Sequence, residues 1–355
     1  MAWSFPTAQP KKRNQIVAID LGTRTTKAVL LQRKETGFEL LHHAVQDAPV
    51  YEKGLSPELL GEHLNSVMQS LGGRTKFLAL AIGVNDSTLR PAEVPLMPLS
   101  DMRLMLKYNS KAYFQQEFPE HAFDCYILPP PPGKSPAEAL RPNQKCRVLV
   151  AGAKRQLLEA LQAAAKNAGL VTEQITPGII GTVNAFEMAQ PEIFSKDVVA
   201  LVDIGFKSSS ISILLNGELN LSRVVGIGGD RLTSGLAETL GISYPEAEGI
   251  KIGMPEEVQS TMLPLLTPLG RELRASIDFF EHQQDRAVSQ VFVSGGPARS
   301  KFLVEALQTE MMIPCQSWNP LSFLQPSLSP QGANDSELAA PQFGVAIGTG
   351  IAALW

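Results

Sequence analysis

Cysteine is scarce in this chain: three in 355 residues, Cys125, Cys146 and Cys315, widely spaced and in no CxxC pattern. That excludes a disulfide framework and fits inert thiols in a reducing compartment. There is no excess of positive charge either. Lys and Arg number 31 against 35 Asp and Glu, a net charge of −4, so nothing recommends nucleic acid as a partner. The run Lys11-Lys12-Arg13 reads as part of a solvated arm, with weak attraction to anionic lipid as the lesser reading. No stretch approaches the roughly 18 apolar residues of a membrane helix. Met1–Asn14 carries Trp3 and Phe5 but no continuous apolar core, so it does not read as a secretory signal. A cytoplasmic protein is expected, with any membrane contact made through a partner.

What is present is ordinary globular material, 44% hydrophobic and 19% charged, and enough of it for at least two domains, since single cores stop growing near about 250–300 residues. One pattern occurs twice. Asp20-Leu21-Gly22-Thr23-Arg24-Thr25-Thr26 and Asp203-Ile204-Gly205-Phe206-Lys207-Ser208-Ser209 both read D-x-G-x-x-x-[ST]. Each lies between apolar runs, 16–19 and 28–31 around the first, 198–202 and 211–215 around the second. This is a strand, a tight turn and a returning strand, once in each half. Glycine lets backbone N–H groups close on phosphate oxygens, and the hydroxyls of Thr26 and Ser209 would add side-chain donors. Asp20 and Asp203, at strand ends, could hold water on a divalent cation or orient an attacking water. Lys27 could reach phosphate if its strand presents it inward. Either hairpin alone is most simply a hairpin; the pair argues for a nucleotide gripped between two halves.

The remaining pattern supplies an α/β organisation. Strands at 16–32 and 38–44 precede a helix with Ser56 as N-cap and Pro57 at its first position, then a strand at 77–84. This β-β-β-α-β order is not the alternation of a dinucleotide-binding sheet. Residues 90–170 read as an inserted subdomain: a helix over 101–118, strands at 123–128 and 145–151, a loop at 129–133 and a helix at 155–167. A second half restarts at Val198, turns at Asn216-Gly217, and continues with helices at 229–240 and 244–252. A long helix is expected from Pro268 to Gln284 with Thr267 as its cap. A strand ending in Ser294-Gly295-Gly296, a helix at 300–310, a polar loop at 319–336 and a small-residue helix at 344–354 complete the chain.

Several further positions could serve a nucleoside. Gly295 and Gly296 would leave backbone exposed to a base or ribose. Glu248 and Lys251, at i and i+3, could grip a ribose, although a surface ion pair is the simpler reading in isolation. Arg274 and Ser276 could flank an adenine ring from the long helix, or lie on a solvated face. Glycine spacing in 176–186 and 344–354 would let two helices cross closely and join the halves.

Taken together, these motifs resemble the actin-like ATPase fold, and within it the PilM-type type IV pilus assembly proteins, related to the division protein FtsA. The resemblance is carried by Ala18–Gly22 with Lys27, Val94–Pro98, Ala247-Glu248 with Lys251, Val202–Gly205, Val291–Gly296 and Gly344–Ala346. It implies two duplicated lobes around a cleft holding ATP and Mg²⁺. Lobe I would comprise 15–89, 171–197 and 344–355, after an arm over 1–14. The inserted subdomain, 90–170, would bind a partner. Lobe II would have a core of 198–228 and 285–343, and a helical subdomain of 229–284. Asp20 and Asp203 would hold Mg²⁺ through water and carry whatever catalysis there is. Gly22, Thr26, Lys27, Gly205, Ser209, Glu248, Lys251, Gly295 and Gly296 would hold the nucleotide. The partner implied is the cytoplasmic N-terminal peptide of a PilN-like inner-membrane protein, together with other pilus components; self-association is left open. By position Leu96, Met97, Leu104, Met105 and Tyr108 are the groove candidates, the competing reading being subdomain core.

Arg24 and Phe206 depart from the usual small turn residues and could crowd the phosphates, so at most a weak ATPase is expected. Asn184 falls near the segment where an attacking water is oriented in such hydrolases. The alternatives are a pseudo-ATPase scaffold without nucleotide, a sugar or small-molecule kinase, for which no substrate-pocket carboxylate is evident, and an FtsA-like membrane-tethered filament. The last would require an amphipathic tail after the helix ending near Trp355.

Overall fold

The computed structural model describes residues 13–50, 55–129, 145–326 and 339–355. The expected loop at 129–133 lies almost wholly outside these residues, as do most of the arm and part of the 319–336 loop. The first half contributes β1 (Gln15–Leu21), β2 (Thr25–Lys34), β3 (Gly37–Asp47), α1 (Pro57–Leu71) and β4 (Phe77–Ile82). Next come β5 (Ser87–Pro95), α2 (Leu99–Phe114), β6 (His121–Ile127), β7 (Lys145–Lys154), α3 (Arg155–Asn167), β8 (Val171–Pro177), α4 (Gly178–Ala189) and α5 (Pro191–Lys196). The second half contributes β9 (Val198–Ile204), β10 (Ser209–Leu215), β11 (Glu218–Val225), α6 (Gly229–Leu240), α7 (Tyr244–Gly253) and α8 (Gln259–Gln284). It ends with β12 (Gln290–Ser294), α9 (Lys301–Met311), β13 (Cys315–Ser317), β14 (Gln325–Pro326) and α10 (Gly344–Leu354).

Two sheets repeat one topology. The first has the order β14-β3-β2-β1-β4-β8 and the second β11-β10-β9-β12-β13. In each, three antiparallel strands are followed by two that join in parallel. The central strands are buried on both faces, and their near-continuous apolar sequence follows from that. Along β1 and β2, Val17, Ile19, Ala28 and Leu30 face α1 and α3, while Ile16, Ala18, Val29 and Leu31 face α4 and α10. The second face is shared: Val199, Leu201 and Phe292 of the second sheet enter the same core through Phe186 of α4, whose ring lies 4.8 Å from Phe292. The opposite face of the second sheet is covered by α6, α8 and α9.

Local chemistry explains the helix ends. Ser56 accepts from the Leu59 N–H at 3.3 Å, with Pro57 opening α1 and Gly72, at φ 62°, closing it. Ser243 and Glu246 form a capping box on α7. The helices α4 and α10 cross through glycine. A Cβ on Gly348 would lie 1.7 Å from the Gly181 carbonyl oxygen, and one on Gly181 2.5 Å from that of Val345.

Four expectations are corrected. The long helix α8 begins at Gln259, not Pro268, and carries Pro264 and Pro268 inside. Thr267 bonds Glu310 at 2.8 Å instead of capping. The lost backbone bonds are tolerated because Met262 and Leu266 continue the apolar stripe into the core. The helix α4 starts at Gly178; Thr176 lies within β8, its hydroxyl accepting from Gln174 at 2.6 Å. Arg13 is not solvated arm: it pairs with Glu173 at 3.0 Å and covers the Phe77 ring at 3.7 Å. Lastly, the inserted unit is narrower than 90–170. Its three-stranded sheet, order β5-β7-β6, begins at Ser87 and packs on α2. The helix α3 instead packs Leu158, Leu161 and Ala164 with α1 beneath the first sheet.

Candidate functional site

A cavity of about 1000 Å³ opens between the sheets at the ends of β1, β4, β9 and β12. Both repeated turns line it. Cross-strand pairing places Lys27 opposite Asp20, and Ser210 opposite Asp203. Residues directly opposite on antiparallel strands share a sheet face, so each pair points from its own sheet into the cavity. The turns are tight enough to require their glycines. A Cβ on Gly22 would come within 2.5 Å of the Thr25 carbonyl oxygen, and one on Gly205 within 2.7 Å of that of Ser208. Gly295, at φ 92°, brings the third turn within 2.2 Å (measured from its would-be Cβ) of the Ile204 carbonyl oxygen. This closeness docks the end of β12 against the second hairpin.

At the floor, Asp20 pairs with Lys27 at 3.3 Å. Asp203 accepts a hydrogen bond from Ser294 at 3.0 Å. Burial holds the Asp203 carboxyl above its ordinary pKa; the Asp20 charge adds to the effect, and Lys27 and Ser294 oppose it. Two carboxylates thus line one cavity close enough to feel each other's charge, with one ammonium paired to Asp20, an arrangement that a divalent cation would relieve. Among the described residues no group of three or more His, Cys, Asp or Glu is placed to hold a metal directly. Two carboxylates that leave room for water suit Mg²⁺, which keeps several of its waters.

The hydroxyls expected to bind phosphate do not reach the cavity. Thr26 is 1% exposed and lies 2.8 Å from His63 Nε2, on the α1 side of the sheet. Ser209 is buried and donates to the Ile227 carbonyl at 2.6 Å. The strand period of two explains both: the residue before Lys27 or Ser210 must face the other way. The hydroxyl residues that the two hairpins bring to the cavity wall are Thr23, Thr25, Ser208 and Ser210, with Asn85 donating to Ser208 at 3.0 Å across the gap. Folding each hairpin so that the residue seven places after the aspartate lies opposite it would have found Ser210, as it finds Lys27.

The wall toward α7 is a closed polar network. Lys251 pairs with Glu248 at 2.6 Å, and the Thr233 hydroxyl bonds Glu248 Oε2 and Lys251. Burial alone would raise the Glu248 pKa; the hydrogen bonds from Lys251 and Thr233, with the charges of Lys251 and Arg24, outweigh it and lower it. Glu248 and Lys251 are therefore a largely buried cavity pair, not a surface one. Gly296 also lines the cavity, with no neighbour within 4 Å of its would-be Cβ. Apolar side chains of Val258, Met262 and Phe302 line the same chamber.

Arg274 and Ser276 lie elsewhere. Arg274 bonds the Met311 carbonyl and Asp278, and Ser276 is buried against the Glu272 carbonyl. Asn184 sits mid-helix in α4, its amide 3.5 Å from the Gly348 carbonyl. On the inserted unit the five groove candidates divide. Leu96, Met97 and Met105 lean on its core, whereas Leu104 is 53% and Tyr108 73% exposed, one turn apart on α2.

Two sheets of one topology, joined by crossing glycine-rich helices and holding a cavity between paired D-x-G turns, define a protein of the actin-like fold. The sequence matches the family model of the type IV pilus assembly protein PilM over residues 18–353, so the chain belongs to that family. Among solved structures it is similar to a PilM-PilN type IV pilus biogenesis complex, at 21% identity and a TM-score of 0.84 over 97% of this chain and 100% of that one. It is also similar to the ethanolamine utilization protein EutJ from Carboxydothermus hydrogenoformans, at 16% identity and TM-score 0.56 over 98% and 91% of the two chains. An AMPPNP-bound MreB of Spiroplasma citri matches at 11% identity and TM-score 0.51 over 96% of each. No helix among the described residues is long and apolar enough to cross a membrane.

Proposed function

We propose that this PilM-family protein is a platform of type IV pilus assembly that binds ATP with Mg²⁺ between its sheets. It would also bind the cytoplasmic N-terminal peptide of a PilN-like inner-membrane protein on its inserted unit, which would hold it at the inner membrane. The observation that carries the nucleotide reading is the facing of Asp20 and Asp203, with Lys27, across a cavity walled by three glycine turns. Gly22, Gly205 and Thr23 would present donors to the phosphates, Lys27 and Ser210 would neutralise or bond them, and Glu248 and Lys251 would take the ribose. Asp20 and Asp203 would hold Mg²⁺ through its water; the ion supplies charge neutralisation for the phosphates.

The platform reading also draws on the PilM-PilN complex, in which a protein of this fold is assembled with PilN. Leu104 and Tyr108 offer an apolar stripe one turn apart where a peptide could dock, framed by Leu99. In a switch of this kind the nucleotide biases peptide affinity only through its unequal affinity for the open and closed forms.

Calorimetric titration with Mg-ATP, with and without a synthetic PilN N-terminal peptide, tests both parts. Binding of both ligands is expected, with the affinity of one altered by the other. Tight peptide binding by a protein that takes no nucleotide would leave a scaffold and sink the switch.

A further inference from the structure

Arg24 stands at the tip of the first turn, where a small residue would fill the same backbone. Its carbonyl is fixed by the Ala48 N–H at 2.8 Å, which anchors the tip to the end of β3. Its side chain crosses the mouth of the cavity to three groups on the opposite wall. The guanidinium lies 5.0 Å from the Phe206 ring centre, 3.5 Å from the Tyr244 hydroxyl and 3.9 Å from Glu248 Oε1. The contacts with Tyr244 and Glu248 are at the outer limit of their kind, while the guanidinium lies within ordinary cation–π range of the ring. Three other cations of the cavity are held closely: Lys27 by Asp20 at 3.3 Å, Lys207 by Asp230 at 2.7 Å, and Lys251 by Glu248 at 2.6 Å; Arg299 and Lys301 line it from the segment that follows the third glycine turn. Glu248 Oε2 is already taken by Lys251 and Thr233, so only its other oxygen meets Arg24.

Arg24 is thus a cation with 40% of its side chain exposed, aimed across the gap between two phosphate-sized glycine turns, and weakly committed. A guanidinium presents a planar fork of donors matched to two phosphate oxygens, while an ammonium acts as a point charge. Resting on the proposed nucleotide reading, we infer that Arg24 is a phosphate-binding residue of this cleft, which exchanges its loose contacts with Glu248 and Tyr244 for the phosphate chain of the bound nucleotide. The anion then ties the first turn to the second wall, with Phe206 as the platform on which the guanidinium stays stacked. Arg24 and Phe206, one from each turn, would thus act as a pair.

The test is calorimetry of Mg-ATP, Mg-ADP and adenosine on the full chain as wild type, Arg24→Ala and Arg24→Lys, with a thermal melt of each. Arg24→Ala should weaken ATP and ADP by about 10- to 100-fold and leave adenosine within about threefold. Arg24→Lys, which keeps the charge and loses the fork, should fall between. A variant that binds ATP as well as wild type, or better, would overturn the inference, the second result marking Arg24 as a latch that competes with the ligand. An equal loss for adenosine would overturn it as well, since the effect would then be structural. A wild-type protein that takes no nucleotide would overturn the inference together with the function on which it rests.

Discussion

Replacing Gly348 by alanine is the sharpest test of how the halves are joined. The new Cβ would stand 1.7 Å from the Gly181 carbonyl oxygen, 2.7 Å from its carbon and 2.8 Å from the Ala185 nitrogen, all backbone of α4. Ordinary contact begins near 3.4 Å, so α10 must retreat by about 1.7 Å (3.4 less 1.7) or tilt by an equivalent amount. No side chain can rotate to absorb this. The retreat loosens Phe186, Ile347 and Ile351, which fill the core between the sheets. Overpacking costs about 1–3 kcal/mol when neighbours can adjust, and a backbone obstacle puts this case at or above about 3. Better helix propensity of alanine returns up to about 1 kcal/mol. The net loss, about 2 kcal/mol or more, corresponds to a melting temperature lower by roughly 3 °C or more at about 2.1 cal/mol/K per residue. Scanning calorimetry and urea titration would read it. Gly249→Ala is the control, because α7 leaves that position open with no atom within 4 Å; it should melt slightly above wild type. If Gly348→Ala melts at or above wild type while Gly249→Ala rises, the close crossing of α4 and α10 is refuted.

Other outcomes follow from the site. Thr26→Val should leave Mg-ATP affinity within about threefold because its hydroxyl faces His63, whereas Lys27→Ala should weaken it by about tenfold or more, read by calorimetry. His63 is held below its ordinary pKa by burial, so the folded state resists its protonation. Its contribution is present above about pH 6.5 and is lost as pH falls below that value; His63→Gln should flatten this part of a urea-midpoint profile taken from pH 7.5 to 5. Leu104→Glu and Tyr108→Ala, both on an exposed face, should keep the wild-type melt and weaken PilN-peptide binding by about tenfold or more in fluorescence anisotropy. Met102→Ala, in the inserted unit's core, should instead lower the melting temperature.

Much of this protein was legible in its residues. The repeated D-x-G turn, the β-β-β-α-β order, the caps at Ser56 and the Asn216-Gly217 turn are short-range signals, and each formed where local chemistry placed it. The helix at 344–354 was readable for the same reason. The carboxylates Asp20 and Asp203 were legible as a pair because the duplication places both at strand ends.

Tertiary structure decided what local pattern cannot express. Face selection depends on register, so Thr26 and Ser209 turned into the protein while Lys27 and Ser210 turned into the cavity. Helix length in α8 was set by core packing strong enough to carry two prolines, against their local preference. Ownership of α3 was set by a hydrophobic stripe that fits α1, and sequence adjacency to the inserted unit had no bearing on it. Arg24 and Phe206 read as two separate obstructions in sequence, because residues far apart in the chain meet only when two sheets close on one cavity. Local propensity acts over a few residues; which surfaces face one another is fixed by the burial of apolar area over the whole chain.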